Sequence, residues 1–299
     1  MAFIVPIGGG AIGPAIINKL LALGGGRSAD IVILPTAAGK DLVASGRRYG
    51  DLFVREGAGH VRVLEVADRT GADDPENVTA VRGADIIFFG GGDQTRITAA
   101  LGGSRMEAVL RTRLAGGPVV LAGTSAGAAV MGEVMPAAGT GWGAVLRGER
   151  GSAAVLDEAR EPLVLADGLG FLPGVALDQH FLARGRFGRL LYTISKFRRQ
   201  SFIGLGIDES TALVVHYPSL VGEVRGDGAV LLFRASRDGY DNLPEMGGGG
   251  TPLASFGLTV DVLAPGCALD VARGLPLAPS EAAREVAAAV SAEAAQVEE

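Results

Sequence analysis

PVVLAGTSAGAAVMG, residues 118–132, is the stretch on which the fold turns. An apolar, β-branched run over 118–122 passes into Gly123-Thr124-Ser125-Ala126-Gly127 and then into a segment that reads as helical at Ala128, Val130 and Met131. Strand, tight glycine-flanked turn and helix are the context a nucleophile elbow requires, because small neighbours let the backbone turn sharply and raise the serine hydroxyl above the sheet. The helix that follows offers free N–H groups and the positive end of its dipole to a developing oxyanion. The same letters also suit a serine or threonine that caps a helix. Ser125 therefore needs a base before it counts as a nucleophile.

Outward from the elbow, the chain repeats a grammar of short Val/Ile-rich runs and longer helical patterns. The runs at 3–7, 30–34, 61–66, 85–89 and 118–122 read as buried strands, and 12–23, 41–56 and 95–114 read as helices between them. A further helix is expected to start where Asp74 precedes Pro75. This alternation predicts βα units around a parallel sheet. Strands at 175–177 and 202–207, separated by a helix over 181–197, extend it. The runs 211–216, 222–225 and 229–233 then read as antiparallel, with Gly226-Asp227-Gly228 as the turn of a hairpin between the last two. The fold class expected is α/β: a three-layer α/β/α sandwich with a mainly parallel sheet and a C-terminal antiparallel extension. One domain over 1–279 is expected to end in an Ala/Glu-rich tail at 280–299, read as a weakly anchored helix or disorder, and Gly247–Gly250 reads as a mobile loop.

Composition narrows the function classes. In 299 residues, 27 basic and 33 acidic side chains leave a net charge of −6, which offers no global attraction to nucleic acid or to an anionic membrane. Cys267 is the single cysteine, so no disulfide framework or CxxC metal site can form within the chain. The apolar start reads as a strand and not as a leader, no run approaches the ~20 residues of a membrane span, and a cytoplasmic protein is expected. Gly8, Gly10 and Gly13 satisfy G-x-G-x-x-G, but the second strand ends in Leu34-Pro35-Thr36-Ala37 without the acidic residue that would hold a ribose. These glycines read as a turn that packs the first helix, and no cofactor and no metal are expected.

The sequence contains 3 histidines: His60, His180 and His216. His60 opens a strand and His216 lies late in one, which suits structural or solvent-facing roles. His180 follows the strand at 175–177, at the carboxyl end where α/β folds gather their sites, and so is the candidate base for Ser125. A carboxylate should orient the imidazole, and Glu209 follows the strand 202–207 at the same edge, with Asp208 beside it as the alternative. The order serine, histidine, acid differs from that of the α/β-hydrolases. Arg184, Arg186 and Arg189, close behind the base, form a local anion trap suited to carboxylates, while Asp178 suits a guanidinium.

Three separated segments carry a specific resemblance: GTSAGAAVMG (123–132), DQHFLARGRFGRL (178–190) and GIDESTA (206–212), with GGGDQ (90–94) as a fourth. They resemble the cyanophycinases, within the serine peptidase family that also contains the aspartyl dipeptidases called peptidase E. The likeness runs over roughly residues 3–233. It implies a Ser125-His180-Glu209 triad, an oxyanion hole made by the backbone N–H groups of Gly92 and Ala126, and substrate contacts from Gln94, Asp178, Gln179, Arg184, Arg186 and Arg189. For the Gly92 donor, Gly91 and Asp93 remain alternatives. The implied substrate is cyanophycin, a β-linked polyaspartate with arginine on each side chain, or another β-aspartyl peptide. A homodimer is expected. A dipeptidase or isopeptidase for other acidic peptides, and a catalytically silent binding protein on the same fold, are the competing readings.

Overall fold

The computed structural model describes residues 1–147, 161–243 and 251–278. The expected tail at 280–299 and the whole of the expected glycine loop at 247–250 lie outside the described residues. The first half of the chain runs β1 (Ala2–Ile7), α1 (Pro14–Leu23), β2 (Asp30–Leu34), α2 (Leu42–Arg55), β3 (His60–Val63), α3 (Arg69–Asp73), α4 (Pro75–Gly83), β4 (Ile86–Phe89), α5 (Gln94–Leu101), α6 (Arg105–Gly116), β5 (Val119–Thr124) and α7 (Ala126–Ala129). The second half continues β6 (Gly132–Ala138), α8 (Gly141–Arg147), β7 (Val164–Asp167), β8 (Leu172–Gln179), α9 (Phe187–Lys196), β9 (Ile203–Ile207), β10 (Thr211–Tyr217), β11 (Val221–Gly226), β12 (Val230–Ala235), β13 (Leu258–Leu263), β14 (Ala268–Asp270) and β15 (Leu275–Leu277).

These strands form two sheets. The 9-stranded sheet has the order β15-β14-β11-β10-β1-β5-β4-β2-β3, parallel from β1 to β3 and antiparallel from β1 outward through β10. The 6-stranded sheet has the order β13-β12-β9-β8-β6-β7, with β6, β8 and β9 parallel. Alternate residues of each strand sort to opposite faces, as a period of two requires. In β1, Val5 joins Ile16, Leu20 and Phe53 of α1 and α2, while Ile4 joins Val81, Leu110 and Leu114 of α4 and α6. That second cluster continues into the inner face of the other sheet through Leu177, Leu205, Val230 and Leu232. The outer face of the 6-stranded sheet is covered by Leu190 and Ile194 of α9, packed on Ala176, Leu231 and Phe233.

The α/β class and the parallel core follow the sequence reading, but three boundaries do not. The segments 222–225 and 229–233 are not a hairpin: β11 lies between β10 and β14, whereas β12 lies between β9 and β13 in the other sheet. Gly226-Asp227-Gly228 carries the chain from one sheet to the other. Val224, Val230 and Leu232 all point into the same core, so an alternating pattern marks each strand as half-buried without naming its partner. The helix expected over 95–114 is two helices, because Ser104 caps α6 by accepting from Glu107 N–H at 3.1 Å. The helix expected from 181 begins at Phe187, leaving 181–186 as a turn at the site.

Candidate active site

Ser125 stands between β5 and α7 with φ 55° and ψ −114°, a conformation side chains other than glycine rarely adopt and the one an elbow needs. Its N–H is tied to Ile7 C=O at 2.9 Å, and its own carbonyl accepts from Ala128 and Ala129 N–H at 3.0 Å each. α7 is only 4 residues long before the chain enters β6, so the expected helical run through Met131 is a single turn. His180 follows β8 with φ 49° and Glu209 follows β9. His180 Nε2 lies 2.9 Å from Ser125 Oγ, and His180 Nδ1 lies 2.5 Å from Glu209 Oε1. The nucleophile candidate thus comes from one sheet and its two partners from the other. Asp208, the alternative acid, is turned away: its Oδ1 accepts from Leu182 and Ala183 N–H at 3.1 Å each.

Gly8-Gly9-Gly10 joins the two sheets at this point. Gly8 C=O accepts from His180 N–H at 2.7 Å, Gly8 N–H donates to Thr211 C=O at 2.9 Å, and Gly9 C=O accepts from Ser210 N–H at 2.8 Å. A Cβ on Gly9 would sit 2.3 Å from the His180 ring, and one on Gly10 would sit 2.8 Å from the Glu209 side chain. The sequence reading is that Gly8, Gly10 and Gly13 form a turn packing the first helix, and Gly13 does stand as the N-cap of α1. Gly9 and Gly10 in addition leave the space that His180 and Glu209 occupy.

The loop after β4 lies on the other side of Ser125. Within it, Gly90 N–H donates to Leu34 C=O at 3.0 Å, Gly91 N–H to the Tyr49 hydroxyl at 2.9 Å, and Asp93 N–H to Ala37 C=O at 2.9 Å. Gly92 is left as the residue of this loop whose N–H has no partner among the described residues. Its φ of 146° and the 2.1 Å that would separate a Cβ from Ala37 C=O explain why glycine stands there.

The positions matched to substrate contacts divide sharply. Arg189 donates from Nε to Asp178 Oδ2 and from Nη2 to Asp178 Oδ1, both at 2.8 Å, and adds Gly139 and Pro136 carbonyls at 3.0 and 2.9 Å. Arg189 is 3% and Asp178 1% exposed. The pair is a sealed bidentate bridge, so neither residue offers a free group, and Asp178 is not placed to receive a guanidinium from outside. Gln94 is also buried and turns its Nε2 to the Pro136 and Ala137 carbonyls at 3.0 and 3.2 Å. Gln179 Oε1 lies 3.4 Å from Ser125 Oγ. Arg186 is half-buried, donating to Gln179 C=O at 2.7 Å, while Arg184 is exposed. The other histidines lie elsewhere: His60 is exposed beside Asp30, and His216 is buried against Phe3 and Ser219.

A family model described as peptidase family S51 matches residues 11–220, a span that holds the elbow, His180, Glu209 and the 90–93 loop. The chain belongs to peptidase family S51. It is accordingly a serine-type peptidase. Over 254 residues it is 35% identical to a cyanophycinase of Geminocystis herdmanii, covering 85% of this chain and 87% of that protein. It is 32% identical over 254 residues to a cyanophycinase of a Nostoc species, covering 85% and 79%. The solved structure of a peptidase from an acI-B1 actinobacterium has a TM-score of 0.62 at 22% identity, over 90% of this chain and 96% of that one, and shares the fold.

In this S51 chain the electrostatics keep the imidazole neutral. Burial pushes His180 below its ordinary value, the Glu209 hydrogen bond works against that shift, and the Arg184 and Arg186 charges reinforce it. Burial also lowers Arg186, to about 10, with Asp178 opposing, so it stays charged at neutral pH. Two features at this site are not in the sequence reading: the room that Gly9 and Gly10 leave for His180 and Glu209, for which the glycine run after the first strand was the available signal, and the Tyr49 hydroxyl, which had none.

Proposed function

We propose that this chain hydrolyses the β-aspartyl backbone linkages of cyanophycin, releasing β-Asp-Arg dipeptides through an acyl-enzyme on Ser125. The observation that carries the reading is the continuous contact from Ser125 Oγ through His180 to Glu209, at 2.9 and 2.5 Å. Ser125 Oγ attacks the scissile carbonyl carbon while His180 Nε2 takes its proton, and Glu209 holds the Nδ1–H tautomer and balances the imidazolium. The carbonyl oxygen, now negative, is received by the N–H groups of Gly92 and Ala126. His180 returns the proton to the leaving amine, which departs with the bond to carbon. Water deprotonated by His180 then cleaves the ester, restoring Ser125.

The named cyanophycinases among the relatives support the substrate, and Arg184 and Arg186 beside the base supply the cations an aspartyl-rich chain needs. Because Asp178 is sealed by Arg189, recognition of arginine on the substrate has less support than recognition of the acidic backbone. A peptidase for other acidic β-linked peptides is the second reading. Incubation with purified cyanophycin, and with β-aspartyl peptides lacking arginine, followed by mass analysis, separates the two. Dipeptides from cyanophycin alone support the first, and equal cleavage of both supports the second. The expected homodimer is tested by analytical ultracentrifugation.

A further inference from the structure

The Gly92 N–H sits in a peptide unit flanked by glycine on both sides, where the backbone is freest to rotate. What stops that unit from turning is a tether at each end. On one side Asp93 N–H holds Ala37 C=O at 2.9 Å. On the other, Gly91 N–H holds the hydroxyl of Tyr49 at 2.9 Å, a residue 42 positions earlier on α2. Tyr49 is itself fixed: it is 9% exposed, and its ring centroid lies 5.4 Å from that of Phe88. Arg48 stands over the ring at 5.0 Å and brings Nη2 to 3.5 Å from the hydroxyl. The fit around it is tight. A Cβ on Gly90 would fall 2.7 Å from the ring, and one on Gly91 would fall 3.0 Å from the hydroxyl and 3.2 Å from Ser125 Cβ. The Gly91 backbone is therefore clamped between Tyr49 and the nucleophile.

We infer that Tyr49 is a positioning residue of the reaction: its hydroxyl oxygen pins the 90–93 loop so that the Gly92 N–H is held in place for the oxyanion. This rests on the serine-peptidase mechanism given above. Tyr49 touches no reacting atom, and its effect falls on the step in which negative charge appears on the carbonyl oxygen.

The test uses the full chain and a fluorophosphonate probe, whose reaction with Ser125 needs the triad and the oxyanion donors but no particular peptide. Losing one oxyanion donor outright lowers rates by roughly 100- to 1000-fold, so loosening one in Tyr49→Phe is expected to slow labelling and kcat by about tenfold. KM should stay within about twofold, as should substrate Kd in the Ser125→Ala background, since ground-state binding is untouched. A merely structural Tyr49 would lower Tm and leave labelling of the folded protein at the wild-type rate, and that result overturns the inference. If Tyr49→Phe does not fold, Gly91→Ala, which presses on both the hydroxyl and Ser125, must slow labelling at least as much, and an unchanged rate there overturns it too. Failure of the wild type to label removes the mechanism itself and this inference with it, an outcome distinct from equal labelling of the two proteins.

Discussion

Two pairs of ionisable side chains start at the carboxyl end of β8 two residues apart, and their surroundings are opposite. Asp178 and Arg189 have side chains 1% and 3% exposed and satisfy each other in bidentate fashion, with two carbonyls completing the guanidinium. His180 and Glu209 are 8% and 39% exposed, and the imidazole keeps its second nitrogen on Ser125. The first arrangement leaves nothing for a ligand to bind. The second leaves a proton path that begins at an accessible hydroxyl. In sequence the two look alike, since both are an ionisable residue of DQH matched with a partner downstream. Burial on both sides distinguishes the scaffold pair from the pair proposed to work on substrate.

The largest expected effect breaks the working side. Ser125→Ala and His180→Ala should each lower turnover by roughly 10⁴- to 10⁶-fold while the thermal midpoint stays near that of the wild type, and the double variant should lose little more. Steady-state rates on cyanophycin with parallel calorimetry check this. A well-folded Ser125→Ala enzyme of near-normal rate would remove Ser125 from the chemistry.

Next comes a direct exchange between the two pairs. Glu209→Gln should lower turnover by roughly 10²- to 10⁴-fold with little change in folding, as loss of an orienting acid does. Asp178→Ala leaves Arg189 buried without its carboxylate and should cost about 3–5 kcal/mol of stability, read from the denaturant midpoint. Asp208→Asn should be mild in turnover, because its carboxylate serves the Leu182 and Ala183 N–H groups. A crippling Asp208→Asn beside a mild Glu209→Gln would reverse the assignment of the acid.

This exchange also marks what could be read in the sequence. The proximity of Ser125, His180 and Glu209 was legible because each candidate followed a recognisable strand, and strand ends in α/β folds collect at one edge. The parallel strands were legible from their apolar runs, and Asp74-Pro75 did start α4, whose cap accepts from Glu76 and Asn77 N–H. The split into two sheets was not legible, because β11 and β12 bury the same side of their alternation in one core. Nor was the fate of Asp178, since whether a carboxylate faces substrate or Arg189 depends on a contact across 11 residues that no spacing rule specifies. Gly8 and Gly10 were visible as part of a glycine turn before α1, but their second role was not: the neighbours of Gly8-Gly9-Gly10 are residues 180 and 207–209, which local sequence could not name.

The pH profile sharpens the working pair further. Burial lowers His180 from its ordinary value, so the neutral base persists below pH ~6.5, and the acidic limb of kcat/KM should fall below that pH. The sign for stability is the same: the unfolded chain binds the proton more readily than the folded one, so stability drops as pH falls from ~6.5 through the lowered pKa of His180. An acidic limb above pH ~6.5 would mean that His180 is not the titrating base.

The smallest effect belongs to Arg184, and it links the two halves of the comparison because Arg184 is exposed and its hydrogen bond to either pair is a backbone one, its N–H donating to His180 C=O at 3.0 Å. Its charge is one of the influences that hold His180 down, and the same charge is available to a substrate carboxylate. An exposed ion pair is worth about 1 kcal/mol or less, so Arg184→Ala should raise KM by no more than about fivefold and leave the fold unchanged. The same substitution should move the acidic limb upward, since one of the charges opposing protonation of His180 is gone. Both effects should shrink at 1 M salt, where the screening length falls to about 3 Å. If KM rises without movement of the limb, Arg184 acts on substrate alone, and if the limb moves without KM, it tunes the base and the substrate carboxylates are held by Arg186.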